Sequence, residues 1–287
     1  MLRTLPRSNG SRFLYAAYVG LFLIFLILPL TVVAVFAFND SQFPAMPWKG
    51  GTLGWFFGSK DPQIGLFFDR SLMNGILQSL IVALAATVLS ITVGTTTAFM
   101  FERHDFPGKS LCYMLMLSPL VIPGVILGIS ILAASSRLAN GVNDVLNYEI
   151  DFLRPGRFLI VLGQFSFLAT VATLVISARL RKFDRSLEEA ALNLGATPTR
   201  VLWTITLPYL RPAMIGAGIV TFLMSFENFN TTLMLVGSDA PLTIAMFDRM
   251  KQGATPVLNA VSLFLMLGSG LLGVISVLVQ RDRSGAR

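Results

Sequence analysis

The chain has one cysteine, Cys112, and one histidine, His104. A single cysteine excludes an intrachain disulfide, and the pair leaves too few soft ligands for a dedicated transition-metal site. No Ser/His/Asp or Cys/His set exists to activate a nucleophile, so the sequence offers no hydrolase site. Charge is scarce as well. Only 13% of the 287 residues are charged and 54% are hydrophobic, where a soluble domain carries about 25% charged residues. With a mean hydropathy of +0.71, this composition is that of a membrane protein. A nucleotide site is missing too. Gly108-Lys109-Ser110 ends like a phosphate-binding loop, but Arg103 stands where the upstream glycine is needed, and no strand or glycine-rich turn precedes it.

What the chain has in abundance is long apolar runs. A bilayer-crossing helix needs roughly 20 mainly apolar residues, and six stretches qualify, at about 13–38, 78–101, 111–134, 158–178, 212–236 and 257–280. The expected class is therefore all-α, a polytopic membrane protein of six transmembrane helices in a single domain spanning 1–287. The first run follows Arg3, Arg7 and Arg12, but its length of about 26 residues exceeds the roughly 7–15 of a signal peptide. It reads as a retained helix. In the third run Pro119 and Pro123 should kink or break the helix, and Gly124-x-x-x-Gly128 permits a close helix contact. The loop 39–72 carries Pro44, Pro47, Trp48, Trp55, Phe56 and Phe57, which suits a short helix lying at the outer interface.

Loop charge gives the orientation. With the N-terminus inside, segments 1–12, 102–110, 179–211 and 281–287 hold 14 of the 22 Lys and Arg residues against 6 of the 15 acids; the outer segments hold 8 against 8. Basic residues favour the cytoplasm, so both termini are expected there. The net charge of +7 thus describes topology and membrane contact, not nucleic-acid binding.

The inner loop 179–211 is the most informative segment. Ser186-Leu187-Glu188-Glu189 is a good helix start with acids in its first turn. Ala190 and Ala191 leave a low-relief surface, and Gly195 is a natural stop. Thr197-Pro198 restarts a second short helix with Thr197 as its cap. Such a pair buries little by itself, so its apolar residues pack either on the membrane bundle, as an ordinary structured loop, or on a soluble partner.

The spacing Glu189-Ala190-Ala191, three residues, Gly195, nine residues, Ile205-x-Leu207-Pro208 resembles the signature loop of membrane subunits of bacterial ATP-binding-cassette importers. One departure is Leu202, where an aromatic is often found, with Trp203 adjacent. The resemblance implies the type I ABC importer permease fold, in the bacterial inner membrane. It also implies a loop whose short helix docks on an ATPase subunit, through Glu188, Glu189, Ala190, Ala191, Gly195, Ala196, Leu207 and Pro208. Within it Glu189 would order the loop through hydrogen bonds, and Gly195 would allow a turn where a Cβ would clash. The implied partners are a second homologous permease subunit, two ATPase subunits and an extracytoplasmic substrate-binding protein. The chain itself would be non-catalytic and hold no cofactor, with ATP bound by a partner.

Glu227 is the only acid within the expected spans. A charge there costs about 2.5–3.5 kcal/mol on insertion scales, so it faces a cavity or a partner. On a continuous helix Asn230 and Thr231 share its face, flanked by Phe226, Asn228, Phe229 and Thr232. Carboxylate, amide oxygens and aromatic faces suit a desolvated alkylammonium ion; a Glu hydrogen-bonded between two helices is the other reading. The chain as a whole resembles the second membrane subunit of polyamine (spermidine/putrescine) importers. Supporting pieces are Ala37-Phe38-Asn39, Ser118-Pro119 with Val121-Ile122-Pro123-Gly124, Ser225-Phe226-Glu227-Asn228-Phe229, and Pro241-Leu242-Thr243-Ile244. Polyamine members often show an acidic pair where this chain has Glu227 and Asn228. Permeases for iron, thiamine, phosphonates or opines share parts of the pattern. An ion-coupled secondary transporter with Glu227 as coupling acid is the rival class.

Overall fold

The computed structural model describes residues 9–43, 46–60, 63–253 and 255–281. Arg3, Arg7, Pro44 and residues 282–287 lie outside them. The elements are α1 (Asn9–Phe36), α2 (Gly54–Phe57), β1 (Ser59–Lys60), β2 (Gln63–Ile64), α3 (Arg70–Arg103), α4 (Lys109–Val121) and α5 (Gly124–Leu146). Then follow α6 (Arg157–Leu180), α7 (Ser186–Asn193), α8 (Pro198–Val201), α9 (Leu207–Phe226), α10 (Asn230–Leu235), α11 (Leu242–Gln252) and α12 (Val257–Arg281). Six helical stretches are long and apolar enough to cross a membrane: 10–36, 70–103, 124–146, 157–180, 198–226 and 257–278. The fold is that of an all-α polytopic membrane protein; among the described residues the only strands are the two-residue antiparallel pair β1–β2.

Two compact units are distinguished, one of residues 1–70 and 249–267, the other of 71–248 and 268–287. In the first, the aromatic segment after α1 contains a short helix, α2. Among the described residues of the segment α2 is the one helical turn, and Trp55 within it is buried, its Nε1–H donating to the Asn39 carbonyl at 2.8 Å. A buried indole N–H needs such a partner. An ion pair between Asp69 and Arg249 and a contact between the Phe67 and Phe264 rings (centroids 5.9 Å apart) tie the two stretches of this unit together.

In the second unit α3, α6 and α9 share a core of Ala98, Ile176, Leu180, Leu210 and Ala217, closed by Phe183. Lipid tails are as apolar as leucine, so apolar burial alone does not drive helices together in a bilayer; close approach of backbones does. Gly94 illustrates this, since a Cβ there would lie 2.8 Å from Ala172 Cβ and 3.0 Å from the Thr173 amide. The Gly124/Gly128 pair admits α10 in the same way, with Asn230 Cβ 3.1 Å and Met234 Cβ 2.9 Å from where side chains would begin.

Two expected spans are broken. The third is not one helix over 111–134. Ile122 is extended (φ −73°, ψ 128°) because a residue before proline is pushed out of the α region, so α4 ends at Val121 and α5 runs from Gly124 to Leu146. Pro119 is absorbed within α4. The fifth is not continuous over 212–236 either: α9 ends at Phe226 and α10 begins at Asn230.

Candidate functional site

Segment 179–211 folds as two short helices on a tight turn. Ser186 N–H donates to Asp184 Oδ1 at 3.0 Å and starts α7. Hydrogen bonds from the Ser186 side chain and backbone hold the Asp184 carboxyl below its ordinary value. α7 closes with Ala196 N–H on the Ala191 carbonyl (3.0 Å) and Gly195 N–H on that of Leu192 (2.9 Å), the paired bonds of a Schellman end. Gly195 sits at φ +86°. A Cβ there meets nothing within 4 Å, so the requirement is backbone conformation and not the clash expected from the sequence. Thr197 Oγ1 accepts the Arg200 amide at 3.4 Å and Pro198 takes the first turn of α8, as the residue pattern indicated. Residues 202–206 form one π-helical turn leading into α9.

The two adjacent acids have opposite assignments. Glu188 turns inward, its Oε1 accepting from Arg103 Nη2 (3.0 Å) and Thr206 Oγ1 (2.5 Å). Glu189, expected to order the loop, is exposed, and its carboxylate has no partner among the described residues. The register of α7 explains this: Glu188 alone faces the end of α3. Ala190 and Gly195 are also exposed, with Ala191 and Ala196 half-buried between them, and Leu194 is 89% exposed at the tip. Leu207 and Pro208 are half-buried at the start of α9.

Sequence reasoning missed the anchors. Glu102 Oε1 accepts from Arg181 Nε (2.8 Å), an interaction that raises the arginine's pKa, and the Glu102 carbonyl accepts from Arg185 Nη2 (2.8 Å). The Arg179 guanidinium lies 4.2 Å from the Tyr209 ring centroid, and Arg103 5.5 Å from that of Phe183. The signal was present in Glu102, an acid at the end of α3 opposite the basic run 179–185.

The second region is the break between α9 and α10. Glu227 caps the end of α9, its amide on the Leu223 carbonyl, so the continuous face expected for Glu227, Asn230 and Thr231 does not exist. Glu227 and Asn230 are exposed, whereas Thr231 is buried at the packing of α10 on α5 and α6. Phe226 is half-buried, its ring tilted against that of Phe222 (centroids 5.9 Å apart), and Phe229 meets Phe247 edge-on at 4.9 Å. The break is braced by Gln164, 1% exposed within α6, which bonds both Ser225 and Thr232. Gln164 also escaped the sequence reading; its signal was an amide inside an apolar span. The Glu227 carboxylate has no partner among the described residues.

Comparison with known proteins agrees with this architecture. The family model described as "Binding-protein-dependent transport system inner membrane component" matches residues 90–282. The putrescine transport system permease protein PotI of Escherichia coli is 31% identical over 254 residues, 88% of this chain and 85% of that protein. The spermidine/putrescine transport system permease protein PotC of Haemophilus influenzae is 26% identical over 273 residues, covering 95% and 98%. A chain of a bacterial alginate ABC transporter, solved with an alginate pentasaccharide-bound periplasmic protein, aligns with a TM-score of 0.70 at 17% identity over 96% of each chain. A chain of the inward-facing MetNI methionine ABC transporter aligns at 0.54 and 16% identity over 74% of this chain and 94% of that one. The chain belongs to the family of inner membrane components of binding-protein-dependent transport systems and is a multi-pass permease subunit of an ABC importer.

Proposed function

We propose that this subunit carries polyamines of the putrescine and spermidine kind into the bacterial cytoplasm, forming half of the path beside a second, homologous permease. Two ATPase subunits bind and hydrolyse the ATP; this chain holds no cofactor or metal of its own. A substrate-binding protein outside the cytoplasm delivers the amine. Both termini face the cytoplasm, which the surplus of Lys and Arg in the inner segments supports.

The observation that carries the reading is Glu227. At 1.5 Å per residue it stands about 24 Å along the helix from Arg211, at the top of the exposed stripe Val220, Met224, Glu227 on α9. A carboxylate facing lipid is costly, which supports a polar path against this stripe. There the carboxylate is a strong acceptor for an alkylammonium donor. The names of PotI and PotC support the amine class. For the motor, the exposed Glu189–Leu194–Gly195 tip supports docking of a soluble partner, since apolar groups are otherwise withdrawn from water. Closure of the ATPases on α7 would exchange inward-open and outward-open states.

The test is ATP hydrolysis and uptake by the complex co-purified on this chain. Putrescine or spermidine should stimulate wild-type hydrolysis, and Glu227→Gln should lose uptake while insertion and ATPase binding persist. Unchanged uptake in that variant removes Glu227 from the path; stimulation only by solutes without an amine contradicts the substrate class.

A further inference from the structure

We infer that Asn228 sets the charge of the substrate, favouring amines with few cationic centres over tri- and tetraamines; the inference rests on the amine-transport reading above. Asn228 Oδ1 accepts the backbone N–H of Thr232 at 3.2 Å and the Thr232 hydroxyl at 3.1 Å. A backbone N–H can only donate, so the amide oxygen, not the nitrogen, must face α10. Thr232 Oγ1 in turn accepts from Gln164 Nε2 at 2.9 Å, and Gln164 Oε1 accepts from the Ser225 hydroxyl. Donation therefore runs one way along Ser225, Gln164, Thr232 and Asn228. Gln164, Ser225 and Thr232 are buried, where a half-satisfied network is costly, so the direction is held firmly. The backbone of Asn228 is pinned as well, its N–H donating to the Ser225 carbonyl (3.1 Å) and its carbonyl accepting from the Thr243 hydroxyl (3.1 Å).

What remains is the amide nitrogen. Among the described residues Nδ2 has no hydrogen-bond partner, and it is not one of the buried polar atoms left without one; it therefore reaches the accessible surface, on the residue that follows the exposed Glu227. This reverses the expectation that Asn228 offers an oxygen to a cation. A ligand arriving here meets one carboxylate, which accepts from an ammonium, and one NH2, which offers an ammonium nothing. A diamine seats one end on Glu227 and leaves the other to the rest of the path. A triamine brings a further ammonium group that loses water at this break without gaining an acceptor.

The experiment compares kcat/KM for putrescine and spermidine uptake by the purified complex carrying wild type, Asn228→Asp or Asn228→Ser. Aspartate still caps α10 but turns an acceptor outward, so the spermidine-to-putrescine ratio should rise about tenfold. Serine keeps a capping oxygen and deletes the outward donor, and the ratio should rise about threefold. A merely structural role lowers both substrates together and leaves the ratio alone. A ratio within about twofold of wild type in whichever variants assemble overturns the inference and leaves the amine reading standing. A wild-type complex that moves neither amine overturns both.

Discussion

Replacing Glu188 with alanine should free α7 from its unit while leaving the membrane helices folded. The carboxylate accepts from Arg103 and Thr206 through one oxygen, and the ion-paired side chains are 23% and 13% exposed. Hydrogen bonds to charged groups contribute about 1.5–3 kcal/mol each. Two bonds sharing one oxygen at a partly wet site contribute less than their sum, so the loss is about 2 kcal/mol. At about 1.4 kcal/mol per decade, the opening equilibrium of α7 shifts roughly 30-fold. Amide hydrogen exchange on the subunit in lipid nanodiscs reads this directly. Amides of α7 should exchange about 30-fold faster, while those in the middle of α6 should not change. Arg103→Met should accelerate the same amides by less, because Glu188 keeps Thr206. The double variant should cost less than the two singles added. Equal acceleration in α6, or none in α7, would refute the anchoring assigned to Glu188.

Two further outcomes follow from segment 179–211. Gly195→Asp places a side chain at φ +86°, costing about 1–2 kcal/mol of backbone strain without a clash. The protein should insert normally and hydrolyse ATP uncoupled from uptake, and normal substrate-stimulated hydrolysis would count against a docking role for this turn. Asp184 titrates below its ordinary value of 3.8 through the Ser186 hydrogen bonds. Its contribution to the start of α7 is therefore complete above that value and lost as pH falls through the lower, folded one. Exchange protection of the first turn of α7, corrected for intrinsic rates, should be flat from about pH 8 to 5 and fall only below about 4; a decline between pH 7 and 5 would contradict the cap.

The spans at 13–38, 78–101, 158–178 and 257–280 were legible because each is a long local apolar run, and α7–turn–α8 because its caps are local too: Gly195, Thr197 and Pro198 act within a few residues. The break at Ile122 was half-legible through Pro123. The break at Glu227 was not, since no proline or glycine marks it. It is carried by Gln164, far off in sequence on α6, and by Thr243 beyond α10. The same reason hid which of Glu188 and Glu189 faces inward. The two are interchangeable as local signals, and the choice is made by Arg103 at the end of α3. Asn228 looked like one more amide oxygen because the group it caps appears only when α9 and α10 separate.

The claim on which the rest depends is that this subunit moves solute only under the grip of an ATPase on α7. It is tested by amine accumulation in vesicles holding either this chain alone or the complex co-purified on it, each with and without internal ATP. Accumulation against a gradient by the complex with ATP, and by nothing else, is the result expected. Uphill accumulation by the chain alone would contradict the account.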